Sequence, residues 1–268
     1  MIRSLLFISL FVSSCNGNTK QVDHSQRPGQ QVQSTTPSLP PDSLLLGIQN
    51  KVNQAFVASI LSHKNDEIEK LGKSLNDLYK AKNQNIILYW HGYLQYYNSI
   101  FYLQQSNKKA AENETEKGLS LMKDIKNKNS EDYALLAMLQ SFSIQFKMDD
   151  AMLLSQEVNK DLENALAIDA DNLRAYYVLA SNNFYTPKKY GGGKLVEKNL
   201  LKAISLPAQK TPNKYLPSWG KEESYEMLIK YYIQNSKWDL AKQYYQKGLK
   251  EYPQSYIINQ LAPQLVGK

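Results

Sequence analysis

The chain has 268 residues, 42% of them hydrophobic and 21% charged, with a formal net charge of +7. That is apolar material enough for a sizeable folded core, and no stretch after the first dozen residues reaches the ~18 consecutive apolar residues of a membrane-spanning helix. A single cysteine excludes an intrachain disulfide, and three histidines, His24, His63 and His91, show no metal-ligand spacing.

The first element lies at the N-terminus. Arg3 supplies a positive start, Leu5 to Val12 an almost unbroken apolar run, and Val12-Ser13-Ser14-Cys15 a small-residue close. The run is too short to cross a bilayer and has the form of a signal-peptide core. The stretch resembles a bacterial lipoprotein signal. The resemblance implies that residues 1–14 are removed, that Cys15 becomes the lipid-bearing N-terminus, and that the protein is anchored in the cell envelope. Asn16, where many inner-membrane lipoproteins have Asp, implies the outer membrane, facing the periplasm. An ordinary secretory signal with a chance cysteine is the alternative. Residues 16–42 are dominated by Gln, Ser, Thr and Pro and contain no aromatic residue. Such a segment cannot bury enough apolar surface to offset its ordering entropy, so 15–42 reads as a lipidated cysteine and a disordered tether. Its end-to-end distance is roughly 30 Å.

From Ser43 onward the apolar period is helical, beginning after Pro40-Pro41-Asp42-Ser43, where Asp42 or Ser43 can cap free N–H groups. Leu45, Ile48, Val52, Ala55, Phe56 and Ile60 recur at three- and four-residue spacing, then Ile68, Leu71, Leu75 and Leu78. Ten helices in five pairs are predicted: 43–63 with 66–82, 86–105 with 108–126, 131–147 with 149–168, 172–185 with 192–206, and 221–235 with 237–251. A C-terminal helix over 254–264 is expected to cap the series, within one domain spanning 43–268. His63 reads as a helix-end residue and His91 as a half-buried packing residue. The fold class is all-α, a solenoid of serial hairpins.

The last pair indicates which solenoid. Tyr225, Leu228, Ile229 and Tyr232 are followed by Ala241, Tyr245, Gly248 and Pro253. This resembles the tetratricopeptide repeat, with Ile229 and Gly248 departing from the family's small-residue preferences. Small residues at Ala241 and Gly248 let the second helix approach the first, while the tyrosines fill the space between pairs. The other pairs are degenerate repeats. The resemblance implies a right-handed superhelix whose inner helices bind a protein or peptide partner, presenting Trp90, Tyr97, Arg174, Tyr177, Phe184 and Lys230 as aromatic anchors and cations.

One segment interrupts the pattern: Tyr185-Thr186-Pro187-Lys188-Lys189-Tyr190-Gly191-Gly192-Gly193-Lys194. It fails as a phosphate loop, because Lys188 stands where the first glycine is needed and Leu195 where Ser or Thr is needed. Pro187, Gly191, Gly192 and Gly193 therefore mark a special turn, with positive φ and close packing as the main reading and an anion site as the alternative. The surroundings also resemble the periplasmic repeat subunit associated with TRAP transporters, which implies a small-ligand accessory role as the alternative function. That role would be favoured by an apolar channel near the turn, the scaffold role by an open groove.

Charge is uneven. Residues 112–171 hold thirteen acids against six bases, and residues 188–250 thirteen bases against five acids. This predicts electrostatic steering of an acidic partner or an anionic surface, or salt-sensitive self-association, with Lys237, Lys242 and Lys250 as exposed contributors. Extracytoplasmic address and the lack of an arginine-rich or aromatic-interleaved motif argue against nucleic acid. No GxSxG, HExxH or paired-acid motif is present. The expectation is a protein that is not an enzyme and has no catalytic residue, cofactor or metal.

Overall fold

The computed structural model describes residues 43–268. The signal, the lipid attachment at Cys15 and the tether lie outside the described residues. Twelve α-helices and no strand occur among the described residues. They are α1 (Ile48–Ser62), α2 (Asp66–Lys82), α3 (Asn85–Gln104), α4 (Lys108–Asp124), α5 (Ser130–Ser143), α6 (Ala151–Ile168), α7 (Leu173–Tyr185), α8 (Val196–Ser205), α9 (Lys221–Gln234), α10 (Trp238–Glu251), α11 (Tyr256–Asn259) and α12 (Ala262–Leu265). The all-α solenoid of serial pairs is the observed architecture. No helix among the described residues is long and apolar enough to cross a membrane.

Local chemistry explains the boundaries. Asn107, Asn129 and Asn172 each accept a hydrogen bond from the free N–H groups of the following first turn, at the starts of α4, α5 and α7. At Asn129 the cap is reciprocal, because Asp132 accepts the Asn129 N–H in return. His63 and Asn83 close α1 and α2 with positive φ, a C-terminal conformation asparagine tolerates better than most residues. Four expectations are corrected. α1 starts at Ile48, not 43, and α5 ends at Ser143, not 147. α8 starts at Val196, not 192, because the glycine turn occupies the intervening residues. The closing helix over 254–264 is instead the two single turns α11 and α12, because Pro263 has no N–H with which to continue a preceding helix.

The curvature follows from which helices touch. Each odd-numbered helix from α1 to α9 packs on the next odd-numbered one, whereas each even-numbered helix packs chiefly on its chain neighbours. The odd-numbered layer is therefore the tighter one, and it forms the inner face. The last pair shows why small residues are needed. A Cβ at Gly248 would lie 2.9 Å from Ile258 Cδ1 and 3.4 Å from Tyr225 Cβ. Ala241, Leu228 and Ile229 are fully buried beside it. One hydrophobic cluster joins α1 to α7, and a second joins α7 to α12.

Candidate functional site, a half-covered aromatic groove

The inner face is built by helical spacing. Trp90, Tyr93 and Tyr97 lie on one stripe of α3, Phe142 and Phe146 at and just beyond the end of α5, Arg174 and Tyr177 on α7, and Glu223, Glu226 and Lys230 on α9. Their aromatic rings meet edge to face. Tyr97 contacts Phe56 at 5.0 Å between centroids and Tyr93 at 5.1 Å, while Tyr96 contacts Phe142 at 5.0 Å, carrying the run from α1 to α5.

Half of this face is covered by the chain itself. Residues 206–220, between α8 and α9, run back across the starts of the inner helices as a strap. Gln49 Oε1 accepts from Ser218 N at 2.7 Å and Trp219 N at 3.1 Å. Trp90 Nε1 donates to Tyr215 O at 2.9 Å, and Gly47 N to Lys214 O at 3.0 Å. Trp219 stacks on Tyr93 at 5.7 Å, donates to Tyr89 OH at 2.9 Å and packs beneath the Arg174 guanidinium.

The strap corrects two expected partner-binding residues. Trp90 is on the inner face but wholly buried beneath the strap. Arg174 is 5% exposed; its guanidinium is paired with Glu131 through two hydrogen bonds and donates to Trp219 O and Ala208 O. A third, Lys230, is half-buried and already paired with Glu226. No cation among the six is left free for a partner's carboxylate. Tyr97 and Phe184 lie beyond the strap, while Tyr177 sits at its edge against Trp219, 6.2 Å between centroids; all three remain partly open. Sequence reading missed Tyr96, Phe142, Phe146, Glu223, Glu226 and the whole strap, and placed Tyr185 only in the glycine-turn segment. Helical spacing from Tyr177 could have found Tyr185, which is 68% exposed.

The open half is lined by phenols that are partly buried. Tyr96, Tyr97 and Tyr177 each keep some open surface, yet surrounding protein pushes each phenol well above its ordinary pKa, first by desolvation and then by neighbouring charges and phenols. The charge of Glu223 on α9 contributes to raising Tyr93, Tyr96 and Tyr97 of α3 and Tyr177 of α7. Glu223 itself is pushed up to about 7, by desolvation and then by Glu222, although its Oε2 accepts from Gly220 N at 2.7 Å. The hydroxyls of Tyr96, Tyr177 and Tyr185 have no hydrogen-bond partner among the described residues. No group of three His, Asp or Glu residues able to hold a metal ion occurs among the described residues.

The glycine turn sits beside the open half. Gly191 and Gly193 have φ of +90° and +86°, and a Cβ on Gly192 would fall 1.7 Å from Thr186 O. The turn's amides are spent internally: Gly191 N bonds Lys188 O, Gly192 N bonds Pro187 O, Gly193 N bonds Asn183 O, and Leu195 N bonds Asn183 Oδ1. Next to it is an open cavity of about 200 Å³, not an apolar channel.

No protein-family model matches the chain, and no curated protein matches it. Among solved structures, the HusA haemophore from Porphyromonas gingivalis aligns with a TM-score of 0.49 and 21% identity, covering 70% of this chain and 94% of that one. A likeness this slight carries neither fold nor ligand across to this chain.

Proposed function

We propose that this chain is a lipid-anchored, non-catalytic binding protein of the cell envelope, of tetratricopeptide type, that holds an extended segment of a partner polypeptide in the open half of its inner groove. One observation carries the reading: α3, α5 and α7 present partly exposed aromatic side chains on the inner face, and three of the phenols lack a hydrogen-bond partner among the described residues. Rigid aromatic side chains give large contact area at low entropy cost, and unpaired phenols supply hydrogen bonds to a peptide backbone. The strap sets the length of the site by leaving the C-terminal ends of α3, α5 and α7 open. The packing of Tyr225, Ala241 and Gly248 supports the repeat type, and Cys15 at the end of the apolar run supports the anchor.

A photo-crosslinking residue in place of Tyr177 is expected to capture a polypeptide in intact envelopes, and the same residue at Lys198 on α8 is not. Tyr96→Ala with Tyr177→Ala should weaken that partner at least about 30-fold, since two aromatic anchors at about 1 kcal/mol each are removed together. Equal capture from both positions would refute the groove. Label from a palmitate analogue is expected in the native chain and absent from Cys15→Ala.

A further inference from the structure

The cavity beside the glycine turn has a chemistry that the groove does not use. It is lined by Phe184 of α7, Thr186, Lys188, Gly192, Gly193 and Lys194 of the turn, and Tyr231, Gln234 and Asn235 at the end of α9. No carboxylate lines it. Neither Lys188 nor Lys194 makes an ion pair among the described residues, although ten other cations do. The nearest acid in sequence, Glu197, is taken by Lys237 at 2.9 Å and Tyr232 OH at 2.9 Å. Two lysines therefore line one small concavity with no carboxylate among its lining residues. The amides of Gly191, Gly192, Gly193 and Leu195 are already bonded within the turn, so the lysines are the cations this cavity offers an anion.

We propose that this cavity binds a phosphate-bearing anion between the ammonium groups of Lys188 and Lys194. Three features choose the class. A volume of about 200 Å³ exceeds a bare oxyanion and suits a phosphate with a small organic group attached. The rings of Phe184 and Tyr231 offer that group an apolar wall, and the Gln234 and Asn235 amides offer donors. Gly192 and Gly193 leave the floor free of side chains, and Gly193 has nothing within 4 Å of where a Cβ would stand. Exposed Tyr190 (72%) and Leu195 (51%) flank the same turn, so the anion has two possible sources: a soluble phosphate ester or a phospholipid headgroup. The site shares the Phe184 ring with the peptide groove, but Lys188 and Lys194 take no part in the peptide reading, so the lysine variants test this site alone.

The chain from Asn16 to Lys268, the mature form without its proposed lipid, serves as the test protein. Glycerol phosphate is titrated while the backbone amides of Gly192, Gly193 and Leu195 are followed by NMR; in parallel the protein is sedimented with vesicles of phosphatidylcholine alone or with added phosphatidylglycerol. K188A/K194A is expected to weaken binding at least about tenfold, because charge-assisted bonds are the strong ones. K70A/K80A on α2, which removes equal charge elsewhere, should leave it unchanged. All four lysines are exposed, so the melting temperature monitors that the fold is intact. Glycerol phosphate binding without vesicle binding assigns a soluble ester. Vesicle binding that requires phosphatidylglycerol and falls in Y190A/L195S assigns a headgroup. No shift at about 10 mM glycerol phosphate together with no vesicle binding overturns the proposal, since that concentration fills even a millimolar site. An equal loss in K70A/K80A overturns it as well.

Discussion

Gly191 and Gly192 are neighbours in one turn, yet they are required for different reasons that substitution separates. Gly192 is enclosed: an added Cβ meets the Thr186 carbonyl at 1.7 Å, and a backbone atom cannot swing aside. Gly191 is unenclosed, and its requirement is the φ of +90° alone. Gly192→Ala should therefore cost about 3 kcal/mol and Gly191→Ala about 1 kcal/mol, read as the order of melting temperatures. The reverse order would mean that the turn relaxes around Gly192. Titration offers a second test. Glu223 at about 7 and Asp132 at about 6 are both raised, chiefly by burial. The folded state thus keeps protons that the unfolded chain gives up. Their contribution is fully present below the unfolded carboxylate pKa and is lost as pH rises through 7. His91, pushed down to about 4 by burial and then by Lys117, works the other way: its contribution is present above 6.5 and fades as pH falls toward 4. Two acids outweigh one histidine over this window. The melting temperature should be higher at pH 5 than at pH 7.5. Glu223→Gln, which keeps an acceptor for Gly220 N–H, should raise the pH 7.5 value and flatten the slope.

At the scale of elements, the strap changes what kind of solenoid this is. Repeat arrays are held mainly by contacts between neighbours and can open from either end. Here Trp219, just before α9, is tied to Gln49 on α1 and to Tyr89 and Tyr93 on α3, closing contacts across about 170 residues. Trp219→Ala removes a nearly buried indole, a change of about 3–5 kcal/mol, or roughly 10 °C in a body of this size. It should also split one thermal transition into two, with amide protection lost first in α1 and α2. A single sharp transition in that variant would show that neighbour contacts alone supply the cooperativity. Helical period made the ten main helices legible, most within two residues of their ends, because each buries one apolar stripe whatever its surroundings. The inner stripe was legible too, which is why Tyr97, Tyr177 and Phe184 fall in the groove. What covers the stripe was not. The strap has no period, and its contacts are non-local; the available signals were its length, Pro207, Pro212 and Pro217, and a lone Trp219.

For the whole molecule, the acidic middle and basic C-terminal third are less independent than the sequence suggests. Their seam is already paired: Lys202 bonds Asp171 and Lys210 bonds Asp169, each at 2.8 Å. Lys237 is held by Glu197, and Lys242 reaches the carbonyl of Lys268, so two of the three lysines expected to steer a partner are engaged. The groove is closed to an acidic partner as well, since Glu223 and Glu226 line it and its one lysine is paired. An acidic partner is thus confined to the outer face, where Lys198, Lys247 and Lys250 have no carboxylate partner among the described residues. Exposed Asp149, Asp150, Glu157 and Glu163 on and before α6 are equally unpaired there. These two patches complement each other between copies and not within one. Weak self-association is therefore expected at low salt and should vanish as the Debye length shrinks from ~10 Å at 0.1 M to ~3 Å at 1 M. Lys247→Glu with Lys250→Glu should abolish it with a stability change within about 0.5 kcal/mol, since both residues are exposed. Sedimentation equilibrium at low and high salt reads the outcome. A monomer at both salts would leave the asymmetry with the single role of pairing Asp169 and Asp171 across its own seam.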